Sequence, residues 1–96
     1  MNANSERQAL QNRVHSLREE LIADADTIGR RLGLPAILSE LESKLSAGTL
    51  DREGLDAYSY SIFRIVTDGG PFQATPVGQR LLALSREVRA FGRLAS

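Results

Sequence analysis

Apolar residues recur along most of the chain at steps of three and four. Between Ser5 and Leu32 the positions Leu10, Val14, Leu17, Leu21, Ala25, Ile28 and Leu32 fall on one stripe, the period of an amphipathic helix. Ser5 and Gln8 have the spacing of a capping box at its start, and Gly33 is the expected stop. At about 1.5 Å per residue such a helix is roughly 40 Å long. Pro35 then suits a first helical turn, Ile37, Leu38, Leu41 and Leu45 share a side, and Gly48 ends the segment, so a second helix is predicted over 35–47.

A third helix is predicted over 51–68. Asp51 is a good N-cap, and Leu50 and Leu55 flank it at the spacing of a hydrophobic staple. Within it the run AYSYSIFRIV, Ala57 to Val66, is rich in residues that favour strands. The cap, the staple and the helical spacing of Leu55, Tyr58, Ile62, Ile65 and Val66 outweigh that preference. Asp68-Gly69-Gly70-Pro71 stops the helix, and Thr75-Pro76 opens a fourth over 76–94, striped by Val77, Leu81, Leu84, Val88 and Phe91. No repeat or linker divides the pattern. The expected fold is one all-α domain, a small four-helix bundle with short loops spanning 1–96.

Composition narrows the class. Ninety-six residues suffice for one core, and 42% hydrophobic with 25% charged residues is a globular balance rather than a disordered one. The absence of cysteine excludes disulfides and thiolate zinc sites. No run approaches the roughly 20 apolar residues of a membrane span, and MNANSERQAL lacks the basic and apolar regions of a secretory signal. The expectation is a cytoplasmic protein with no membrane partner. Eleven of the twelve basic residues are arginine, a bias that points to a GC-rich bacterial genome.

Some side chains are left over from the core stripes. Tyr60 and Phe63 lie to one side of the third helix's stripe, either as a second core face or as a ridge for a protein partner, because aromatics dominate interface hot spots. Phe72, in the loop, either joins that patch or plugs the end of the bundle. On the fourth helix Arg86, Arg89 and Arg93 fall within about 60° of one another at 100° per residue, opposite the core stripe, with Leu82 among them. From Gly69 onward four arginines meet only Glu87, whereas 35–56 holds five acidic residues against Lys44 and Arg52, a net of −3. The arginine row is either a solvated face or a docking site for an acidic protein or for a second copy's acidic region. The first helix is longer than the roughly 27 Å of the third and fourth, so part of its stripe is either covered by the second helix or pairs with a second copy in a homodimer.

Few residues suggest chemistry. His15, the only histidine, sits near Glu19 and Asp26, but no Glu-x-x-His motif accompanies it, so an exposed ion pair is expected rather than a metal site. No nucleophile elbow, phosphate-binding loop or dinucleotide fingerprint occurs. No catalytic residue, metal or cofactor is therefore assigned. ATPVGQRLL, Ala74 to Leu82, resembles the Thr-Pro-x-Gly-x-x-Leu-Leu junction of winged-helix transcription regulators. That resemblance implies a wing, with SIFRIVT and PFQAT as its strands, and DNA binding. The helix that would read DNA, 35–47, is acidic, and the chain has no net charge, which argues against a nucleic-acid partner. The expected function is a non-enzymatic protein–protein interaction module: an immunity or antitoxin-like neutraliser, a chaperone or adaptor, or an accessory subunit. Its partner-binding residues would be Tyr60, Phe63 and Phe72 together with Arg86, Arg89 and Arg93.

Overall fold

The computed structural model describes the backbone of residues 3–23 and 33–95, and side-chain surroundings for 5–23 and 33–93. Among the described residues four helices run in order: α1 Ala3–Ala23, α2 Leu34–Ala47, α3 Arg52–Asp68 and α4 Pro76–Ala95, with a 3-10 turn at Gly70–Ala74 between the last two. No strand occurs among the described residues. The fold is all-α and four-helix bundle-like, and α2, α3 and α4 begin and end within a residue of the predicted bounds.

Local chemistry explains the ends. Gly33 adopts φ 82° immediately before α2, and Pro35 sits in that helix's first turn. Gly48 takes φ 69° and, with Thr49, caps the carbonyls of Leu45 and Lys44, a left-handed finish that glycine reaches without steric cost. Asp51 accepts a hydrogen bond from the Gly54 amide at 2.8 Å. At α4, the Thr75 hydroxyl accepts from the Gly78 amide at 3.0 Å and donates to the Phe72 carbonyl at 2.7 Å. The start of α1 differs from expectation. It is already helical at Ala3, so Ser5 lies inside it, and the Gln8 amide donates to Asn12 one turn on rather than closing a capping box.

One core binds the helices together. Leu10, Val14, Leu17 and Leu21 of α1 meet Leu34, Leu38, Leu41 and Leu45 of α2, with Leu55, Ile62 and Val66 of α3 and Leu81, Leu82, Leu84 and Val88 of α4. Each such side chain contributes about 1.5–3 kcal/mol on burial. α1 packs on α2 and α4, and α3 packs chiefly on α4. The first-helix stripe from Leu10 to Leu21 is thus sealed by its own chain, which removes, over that stretch, the uncovered surface on which a dimer was expected. Ala25, Ile28, Leu32 and Asp26 lie outside the described residues.

AYSYSIFRIV is helical throughout, and PFQA belongs to the 3-10 turn. Neither segment required for a wing is a strand, so the winged-helix implication is corrected at the level of fold. Burial decides the outcome: as a helix, this run places Ile62 and Val66 at 0% exposure on one face, a gain unavailable to a hairpin with no sheet to join.

Candidate functional site

The close contact of α3 and α4 creates the site. Ser59 and Ser85 are both buried, and the Ser59 hydroxyl donates to the Ser85 carbonyl at 2.6 Å while the Ser85 hydroxyl donates to the Leu82 carbonyl. At Gly92 an added Cβ would lie 3.3 Å from the Leu55 Cβ. Small residues therefore let the two helices approach, and both buried serine hydroxyls are satisfied by backbone carbonyls of α4. The larger side chains flanking the seam stand away from it and leave a groove of about 450 Å³, lined by Asp56, Ser59, Tyr60, Phe63, Ser85, Arg86 and Arg89.

Two sets of residues that are distant in sequence meet here. Tyr60 is 60% exposed and Phe63 49%, so they form an outward ridge and not a second core face. Arg86 and Arg89 line the opposite wall, both exposed. They flank the α3 contact instead of pointing away from the core, because Ser85 and Leu82 on the same side of α4 are buried. Leu82 accordingly belongs to the core and not to the arginine row. Among the described residues no carboxylate lies within ion-pair distance of Arg86 or Arg89. Arg93 is exposed one turn further on and does not line the groove.

Phe72 is corrected. It is 2% exposed and part of the core beneath the 3-10 turn, where its ring closes the end of the bundle. Hydrophobic burial outweighs exposure for an isolated aromatic that the turn can fold inward.

Sequence periodicity overlooked three groove residues. Ser59 and Ser85 occupy core-face positions, four after Leu55 and four after Leu81, but their polarity hides them from an apolar stripe; position on the helix face is the signal that would find them. Asp56 lines the groove with its Oδ1 enclosed and without a hydrogen-bond partner.

Tyr60 is held from its far side. Arg64 Nη1 donates to its hydroxyl at 3.2 Å and Arg64 Nε lies 3.4 Å from Asp68; the Tyr60 hydroxyl, then Asp68, raise the Arg64 pKa further. Tyr60 also lines a second shallow hollow with Ile37 and Ile65, so it borders two recesses. Tyr58, by contrast, is tied into the fold: its hydroxyl donates to Glu40 at 2.6 Å, and Lys44 lies 5.6 Å from its ring centroid. The hydroxyl and Lys44 hold the Glu40 carboxyl below its ordinary value.

Elsewhere charge is spent on fastening helices. Arg13 pairs with Glu87 and Arg80 with Glu20 across α1 and α4. His15 contacts Glu42 at 3.0 Å, and Arg18 lies 3.4 Å from Glu42 and donates to Ser39, joining α1 to α2. His15 and Glu19 do lie near each other, 3.9 Å apart, but among the described residues no group of three or more His, Cys, Asp or Glu side chains could hold a metal ion. No helix among the described residues is long and apolar enough to cross a membrane. No protein-family model, curated protein or solved structure matches the chain.

Proposed function

We propose that the chain is a non-enzymatic protein–protein interaction module that docks its partner in the α3–α4 groove. One observation carries this reading: Tyr60 and Phe63, about half-exposed or more, face Arg86 and Arg89, which have no acidic partner among the described residues, across one recess. Exposed aromatic faces forgo burial that the folded monomer does not supply, and aromatic and arginine side chains are the residues that dominate binding energy at protein interfaces. A guanidinium receives a carboxylate in a planar, two-bond geometry. The partner is accordingly a protein segment with apolar side chains over Tyr60 and Phe63 and carboxylates over Arg86 and Arg89.

The corresponding jobs are those of a cytoplasmic bacterial neutraliser, a chaperone or adaptor, or an accessory subunit, all of which act by occupying another protein's surface. The test is a photo-activated cross-linking side chain placed at Phe63 in cells that naturally make the chain, with Ser46 as the exposed control position on α2. A discrete adduct is expected at Phe63 and not at Ser46, and it should vanish with Arg89→Glu. No adduct at Phe63, or one indifferent to Arg89, contradicts the reading.

A further inference from the structure

The groove carries opposite charges on opposite walls. Arg86 and Arg89 stand on α4 without an acidic partner among the described residues, while Asp56, only partly buried, brings a carboxylate to the α3 wall. A uniformly acidic ligand would pair with α4 and be repelled at α3. A ligand that suits both walls has acid over α4 and a cation over α3, and this chain has that arrangement itself. We infer that in the free protein the groove is occupied by the same groove of a second copy, an inference that rests on the groove being a docking surface.

Symmetry makes the match possible. α3 and α4 are antiparallel, with Ser59 beside Ser85 and Leu55 beside Gly92, which sets Asp56 at the height of Arg89. A two-fold axis running along the groove in the plane of contact lays α3 of each copy over α4 of the other at equal height. Asp56 of each copy then meets Arg89 of the other, twice over, as an isologous interface requires. Tyr60 and Phe63 of each copy come to rest against Arg86 of the other, aromatic face to guanidinium. Over the described part of α1 the apolar stripe from Leu10 to Leu21 is already buried and offers no competing face.

Area sets the strength. A face of two helices, about 25 Å long and about 20 Å wide, projects to roughly 500 Å², below the ~800 Å² per partner of a standard stable interface. The dimer is therefore reversible and depends on concentration, which leaves the groove open to exchange with another protein.

The experiment is sedimentation equilibrium on the full chain and on two charge-reversed variants. The wild-type chain should shift with concentration from 10.5 kDa towards twice that mass. Asp56→Lys and Arg89→Glu should each remain monomeric alone, because each sets like charges across the axis. An equimolar mixture of the two should recover the dimer, since the introduced lysine faces the introduced glutamate while the native pair survives on the other side of the axis. Helical circular dichroism verifies that each variant folds; should Asp56→Lys fail to fold, Asp56→Asn and Tyr60→Ala take its place, each expected to weaken the dimer at least tenfold. A wild-type chain that stays at 10.5 kDa at every concentration, a mixture that stays monomeric, or a dimer untouched by Arg89→Glu overturns the inference. A monomer that still cross-links through Phe63 to a different protein sinks self-pairing alone; a monomer with no adduct sinks the docking surface as well.

Discussion

A methyl group at position 78 would have nowhere to go. The Cβ of any residue there would lie 2.1 Å from the Phe72 carbonyl oxygen, which is itself fixed by the Thr75 hydroxyl and amide. Gly78→Ala should therefore lower stability by about 1–3 kcal/mol in urea unfolding, despite alanine's better helix propensity. Asp51→Ala, which removes only the cap on α3, should cost about 1 kcal/mol. Glu40 supplies a pH signature. The Tyr58 hydroxyl and then Lys44 hold its carboxyl below the ordinary 4.5, so its contribution is present above that value and is lost as pH falls through the folded one. In Tyr58→Phe the Glu40 carboxyl carbon should titrate at a higher pH by NMR, nearer 4.5, and the acid loss of stability should shrink. Caps such as Asp51, Thr75 and Gly48 were legible in sequence because each acts on backbone groups within a few residues. Gly78 was legible only as part of a motif, since the carbonyl it avoids belongs to a turn that sequence does not draw.

At the scale of elements, α3 shows which signal prevails. Tyr58 to Val66 prefers strand residue by residue, yet the Asp51 cap and the burial of Leu55, Ile62 and Val66 on one face make it helical. Periodicity reads such a face well when its members are apolar. It misread the same face at Ser59, where a small polar residue marks close helix approach. Ser59→Leu should force α3 from α4 and cost about 1–3 kcal/mol, read as a lower thermal midpoint together with altered Ser85 amide exchange. The reach of α1 is answered only in part: α2 and α4 cover the stripe from Leu10 to Leu21, and the rest of that stripe lies outside the described residues.

At the scale of the molecule, the groove was invisible to the sequence because it belongs to neither helix alone. Tyr60 with Phe63, and Arg86 with Arg89, could each be named as surface residues, but only the antiparallel pairing of α3 and α4 sets them across one recess. Asp56 then gives that recess its second sign. If charge pairing holds two copies together, raising salt should weaken the dimer in sedimentation, whereas Arg13→Glu, on the α1–α4 side, should leave it unchanged while costing the fold at most about 1 kcal/mol. The division of aromatics between interior and surface is the claim beneath all of this, and paired denaturation of Phe63→Ala and Phe72→Ala, at dilutions where the chain is monomeric, tests it most directly. The fold predicts a loss of about 3–5 kcal/mol for Phe72→Ala and a change within roughly 0.5 kcal/mol for Phe63→Ala. Comparable losses for both would place Phe63 in the core and contradict the docking surface.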